Sequence, residues 1–386
     1  MFTNNLTLYW YESNDSIDRL TNSILDRFCW EILPKIDHKI KWLTLDSLLI
    51  KRVVRSGNYP NLYGLSIYNI DMETVSDLFI DNIDFFHILK NQISSLVIGN
   101  ETKHGYYNLD ITCIIFGNIF KNFQNLEYLK FEPSINCNEK IFYNHLVPSI
   151  FSSTLLKLDV NVATIHDCLY LLDGRFNKLE TLNVNIVVPF SKSFFKKINN
   201  KGSLPSLKSF SLICDLRIDF YDEILLPLLH RMSNLEMLTV CFGVCGRQTF
   251  IDGNNLMENI VSVMAKLNKL TFNIRSYVSL NNQINFPSNK DIKNTFKNFR
   301  NNEIISYVNY FKEAKQGQCH IYSCPYTLKY YHYITNNFSG GLFKSVRQVE
   351  LYDEYSFEHE FFIKIEKLFP LLEKLTLKNN KPQINK

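Results

Sequence analysis

Leu126-Glu-Tyr-Leu129-Lys-Phe131 carries apolar residues at its first, fourth and sixth positions and polar or aromatic ones between them. The same apolar-x-x-apolar-x-apolar pattern begins again at Ile40 (IKWLTL), Leu62 (LYGLSI), Ile93 (ISSLVI), Leu155 (LLKLDV), Leu179 (LETLNV), Leu207 (LKSFSL), Leu235 (LEMLTV), Leu267 (LNKLTF), Val346 (VRQVEL) and Leu372 (LEKLTL). Self-similarity of this kind marks a repeat architecture, in which each copy packs on its neighbours. Successive copies start 22, 31, 33, 29, 24, 28, 28, 32, 79 and 26 residues apart, so the period wanders around thirty.

Between copies the apolar spacing lengthens from two to three and four, as at Leu20, Ile24, Phe28 and Ile32 and at Val75, Leu78 and Phe79. That change is the signature of a helix face. Each unit therefore reads as strand, loop, helix, loop, with helix starts at Ser16 and Asp71, where a short polar side chain can satisfy free backbone donors. An apolar residue three before a copy (Tyr59, Phe123, Phe176, Leu204, Met232, Met264, Phe343, Phe369) would close the preceding helix against the core, and Asn61, Asn125 and Asn234 stand directly ahead of theirs. Pro34, Pro60, Pro148, Pro205 and Pro370 fall near helix ends or before strands, where a missing donor does least harm.

The long interval after Leu267 is expected to hide one degenerate unit, with Cys319–Ser323 as its strand and TLKYYHYITNNF (327–338) as its helix. The fold class that results is α/β, a leucine-rich-repeat-like solenoid with parallel strands on the concave face and helices on the convex face. It would run as one array over 1–386, irregular at about 276–342. In that register the side chains between the apolar positions project from the concave face: Trp42, Thr44, Gly64, Ser66, Tyr128, Lys130, Lys157, Asp159, Thr181, Asn183, Met237, Thr239, Lys269, Gln348 and Glu350. Their mixed charge and polarity suit a protein partner, and Trp42, Tyr128 and Met237 are the anchors of choice because large, stiff or polarisable groups carry interface energy.

Composition narrows the class. Hydrophobic residues make up 46% of the chain and charged ones 21%, too apolar for disorder. The net charge of +4 comes from the C-terminal part: residues 281–386 hold 15 basic against 10 acidic side chains, and the rest 27 against 28. So thin an excess is not a phosphate-neutralising stripe, and no nucleic acid is expected as partner. The nine cysteines are scattered without a Cys-x-x-Cys, which argues against a disulfide framework and a zinc ribbon and for buried thiols in a reducing compartment. With neither a signal sequence nor an apolar stretch of membrane-spanning length, the protein is expected to be intracellular, cytoplasmic or nuclear, and not in a membrane.

Leu-x-x-Leu-x-Leu with a helix in each unit resembles leucine-rich repeats, and the long uneven period is similar to the subclass attached to F-box proteins. The opening FTNNLTLYW looks like the strand that follows the F-box in such proteins, as though the chain began where the F-box ends. The resemblance implies a substrate-recognition module of an SCF-type ubiquitin ligase, with the Skp adaptor and cullin as partners only through an F-box in a longer form. The chain departs from the family in two ways. It lacks the F-box opening Leu-Pro-x-Glu-x-Leu, and Ile70, Glu101, Ser134, Ala163, Val187, Asp215 and Gly243 stand where the repeat has Asn or Cys. The alternative is a stand-alone scaffold with no ubiquitin link.

No nucleophile elbow, Walker loop, dinucleotide fingerprint or His-Glu-x-x-His pair is present, so neither enzyme activity nor a cofactor is expected. FGVCGRQTF reads as a turn after a strand ending at Val240. Cys241 with Cys245, and Cys319, His320, Cys324 and His332, match no common metal spacing.

Overall fold

In the computed structural model, residues 4–8, 22–70, 89–99, 109–132, 150–187, 202–280, 286–299, 303–338, 340–341 and 343–379 are described. Every copy of the six-residue pattern is a strand, and each strand starts at the third position of its copy. Two backbone devices explain why. The first residue of a copy donates to the carbonyl three before it, as from Leu62 to Tyr59 (3.1 Å), Leu179 to Phe176 (3.1 Å) and Leu235 to Met232 (3.1 Å), which makes a tight turn on a buried apolar residue. The carbonyl of the second residue then accepts two consecutive N–H groups of the next copy. Glu127 takes Leu156 (2.8 Å) and Lys157 (2.9 Å), and Glu236 takes Asn268 (3.0 Å) and Lys269 (3.1 Å).

Among the described residues, fifteen strands form a mostly parallel, unclosed sheet of 12 and a second sheet of 3. The chain divides into two compact units, Met1–Val188 with Lys197–Leu207, and Pro189–Lys196 with Lys208–Lys386.

In the first unit β1 (Asn5–Leu8), β2 (Trp42–Asp46), β3 (Gly64–Tyr68), β4 (Ser95–Gly99), β5 (Tyr128–Glu132), β6 (Lys157–Val162) and β7 (Thr181–Ile186) pair in sequence order, all parallel and in phase. Leu43, Leu65, Leu96, Leu129, Leu158 and Leu182 thus stack in one fully buried row, each worth about 1.5–3 kcal/mol of burial. Side chains just ahead of a copy cap carbonyls two residues ahead of the preceding one: Asn61 on His38 (2.6 Å), Asn125 on Asn91 (2.7 Å) and Ser206 on Asn177 (2.7 Å).

The first helical run is α over Asn22–Arg27, π over Phe28–Ile32 and α again over Leu33–Ile36. Its buried stripe is Leu25, Cys29 and Leu33, one residue on from the expected Ile24, Phe28 and Ile32, and Ile24 and Ile32 are exposed. An α-helix drifts past a four-residue stripe, and the wider π turn rotates Leu33 back into line. The expected helix starts at Ser16 and Asp71 lie outside the described residues, as does Val75–Phe79.

In the second unit β8 (Ser209–Ile218), β9 (Met237–Val244) and β10 (Lys269–Ser279) are parallel, and β11 (Glu303–Phe311) and β12 (Gln316–Cys324) form a hairpin whose second strand runs antiparallel to β10. Cys319–Ser323 is therefore a strand, but a hairpin strand. The expected helix at 327–338 is β13 (Tyr330–Ile334), parallel to β14 (Gln348–Asp353), which pairs with β15 (Lys374–Asn379). A register shift between Tyr331 and Ile334, with Tyr333 at φ 59°, sends both to the core three residues apart. That bulge mimics helical spacing. β9 likewise runs on to Val244, so its turn comes at Gly246 (φ 79°) and not after Val240.

Tyr322, Tyr326, Tyr331, Phe338, Phe343 and Phe369 fill the space against the second sheet, with Phe343 and Phe369 stacked at 4.6 Å. No helix among the described residues is long and apolar enough to cross a membrane.

Candidate protein-binding face

In-phase parallel pairing aligns the intervening positions of neighbouring copies as strictly as it aligns the leucines. On one face of the first unit's sheet, Trp42, Gly64, Ser95, Tyr128, Lys157 and Thr181 form one row across β2–β7, and Thr44, Ser66, Val97, Lys130, Asp159 and Asn183 the next. Seven expected binding residues therefore share this face: Trp42, Thr44, Tyr128, Lys130, Lys157, Asp159 and Asn183. Lys157 is exposed and the other six are half-buried.

Cross-strand bonds hold several of them. Asp159 accepts from the Tyr128 hydroxyl (2.8 Å) and the Asn183 amide (2.5 Å), while the Lys157 ammonium sits 3.5 Å from its carboxylate and 4.7 Å over the Tyr128 ring. Trp42 lies across Gly64 and donates Nε1–H to the Ser66 hydroxyl (2.9 Å). A Cβ on Gly64 would stand 2.0 Å from the indole, so the glycine makes the berth for the ring. Tyr68 leans over Gly99 in the same way, where a Cβ would fall 2.9 Å from its ring. Large side chains fixed before an encounter lose less rotamer freedom on binding, a saving of about 0.5–1.5 kcal/mol each.

The other three expected residues belong to the second unit. Met237 and Lys269 are register partners at the starts of β9 and β10, both exposed. Glu350, on β14, accepts from His332 Nδ1 (3.0 Å) and the Lys378 ammonium (2.6 Å), and these bonds hold its carboxyl down at about 2 despite burial. His332 Nε2 in turn stands 3.8 Å from Asp215.

Sequence reasoning missed a buried polar chain in the second unit. His320, fully buried, meets the Tyr307 hydroxyl through Nδ1 (2.7 Å) and the Asn273 side-chain oxygen through Nε2 (2.6 Å), and Asn273 also donates to Tyr326 (2.7 Å). Beside it Asn309 links Gln318 (3.0 Å) to Thr335 (2.9 Å). Burial, reinforced by the Arg275 guanidinium, keeps the His320 imidazole well below its ordinary pKa and therefore neutral. Arg275 is itself buried, 5.1 Å from the Tyr333 ring and 3.4 Å from the Asp215 carbonyl, while its Nε and Nη1 meet no acceptor among the described residues. The signal was the alternation Asn273, Arg275, Tyr277, which continues past the repeat motif into the segment expected to be irregular from about 276.

At the C-terminal ends of β8 and β9, Asp219, Asp222 and Glu223 line a cavity of about 300 Å³ in which Arg247 pairs with Asp222. Among the described residues no three His, Cys, Asp or Glu side chains gather closely enough to hold a metal ion. Five of the described cysteines (Cys29, Cys168, Cys214, Cys241, Cys319) are buried free thiols, and burial pushes Cys214 up to about 11 and Cys241 up to about 12. No protein-family model matches the chain, and neither a curated protein nor a solved structure matches it.

Proposed function

We propose that the chain is a leucine-rich-repeat-like solenoid that binds a protein partner through the β2–β7 face and acts by surface complementarity, with no chemistry of its own. The observation that carries this reading is the in-register row of part-exposed Trp42, Tyr128 and Lys157, braced by Ser66 and Asp159. Rigid aromatic anchors among cross-linked polar groups of both charges are what a specific protein interface uses. The sequence resemblance to F-box-associated repeats makes the partner a ligase substrate, and an adaptor scaffold is the alternative.

The test is affinity capture from native lysate with the tagged chain beside its Trp42→Ala and Tyr128→Ala variants. A protein retained by the parent and lost from both folded variants supports the face as the binding surface. Skp adaptor and cullin among the captured proteins would favour the ligase role. Partners held equally by all three proteins would overturn the assignment of this face.

A further inference from the structure

We infer that the outer edge of β15 docks the β1 edge of a second copy, joining chains head to tail. The observation is a break in an otherwise uniform pattern. At the second and third apolar positions of every other copy, from Leu43 and Leu45 to Val349 and Leu351, no side chain is more than 9% exposed; Leu375 and Leu377 of β15 are 43% and 45% exposed. They sit where a following strand would cover them. β15 is an edge of its three-stranded sheet, and Leu371, in the turn that leads into it, is also exposed.

β1 is the matching edge of the other sheet, and its Leu6 and Leu8 are only half-buried. The two edges read alike: Asn5-Leu-Thr-Leu8 on β1 and Lys374-Leu-Thr-Leu377 on β15. Continuing the parallel ladder in phase sets Leu375 beside Leu6, Leu377 beside Leu8 and Thr376 beside Thr7, and leaves Lys374 facing the neutral Asn5. Each edge then gains the backbone partners and apolar neighbours that an inner strand has.

Two copies of β15 fit less well. Antiparallel pairing that matches Leu375 with Leu377 brings Lys374 opposite Lys378 on both sides, and like charges directly opposite destabilise a strand pair. The contact is thus heterologous, with each copy offering a donor edge and an acceptor edge.

Sedimentation velocity over a range of concentrations of the full chain tests this. The parent should self-associate beyond the dimer, while Leu375→Glu/Leu377→Glu, at positions already facing water, should be a monomer. Asn5→Lys, which sets a cation against Lys374 without touching Leu6 or Leu8, should also be a monomer. Mixing the two variants should give a one-to-one dimer, because the doublet variant supplies an intact β1 edge and Asn5→Lys an intact β15 edge. Lys374→Glu combined with Asn5→Lys in one chain should restore the parent's association. A parent that stays monomeric at every concentration overturns the proposal, as does a doublet variant that associates like the parent, or a mixture that stays monomeric. Association of Asn5→Lys alone at the parent's level would assign the contact to β15 with β15 and overturn it too.

Discussion

Replacing His320 by Gln should remove an acid-labile part of the second unit's stability. Burial holds the folded imidazole well below the ordinary value of 6.5, so the folded state stays neutral while the unfolded chain takes up a proton near 6.5. The unfolded state then binds more protons, and stability falls as pH falls. Its contribution is complete above the unfolded pKa and is lost on going down toward the folded one. Linkage for one proton gives a loss of about 2 kcal/mol between pH 7.5 and 5.0. His320→Gln forfeits bonds to Tyr307 and Asn273, costing about 1–3 kcal/mol at pH 7.5, but its stability should be flatter by that 2 kcal/mol. The assay is urea denaturation by circular dichroism at each pH. His166, whose pKa burial also lowers, titrates in the same direction, so both proteins are compared with His166→Gln added. Glu350 does not interfere, because a depressed carboxyl contributes above about 4.5 and loses its contribution only as pH falls toward about 2. Equal acid sensitivity in parent and variant would refute the argument that His320 is held neutral.

Gly64→Ala should evict the Trp42 ring, costing about 1–3 kcal/mol by overpacking and shifting the Trp42 indole N–H resonance as its bond to Ser66 is lost. Gly253→Ala should do at least as much harm, since its Cβ would lie 2.4 Å from the Thr295 backbone oxygen, which a side chain rotation cannot relieve; thermal melting measures it. Arg275→Met should raise the melting temperature, by the equivalent of about 1–4 kcal/mol, because a buried charge with unanswered donors gives way to an apolar side chain of similar length. Thr164→Ala removes one half of the capping box with Asp167 and should cost about 1 kcal/mol in the same melt.

How much of this lay in the sequence depends on whether neighbours in the chain or neighbours in space decide. The strands were legible because Leu-x-x-Leu-x-Leu fixes turn, strand and buried face within six residues. The row holding Trp42, Tyr128 and Lys157 followed, since in-phase copies align their intervening positions automatically. The stripe at Leu25, Cys29 and Leu33 was not legible, because Ile24, Phe28 and Ile32 are just as apolar at the same spacing and a π turn chose between them. At β13 the bulge at His332 and Tyr333 copied a helix period. His320, Asn273 and Arg275 escaped notice because their partners lie elsewhere in the fold, 13 to 60 residues away along the chain.

The doubly accepting carbonyl at the head of repeat strands such as β5 and β9 has a consequence for how such a chain can change. It sets the reading frame of a strand from the one before it, over two peptide groups, and takes no account of the length of chain spent in between. Copies 22 and 33 residues apart end up equally in phase. Insertions between copies can then accumulate without shifting a single leucine, whereas one residue added between the clamp and the strand would turn that strand inside out.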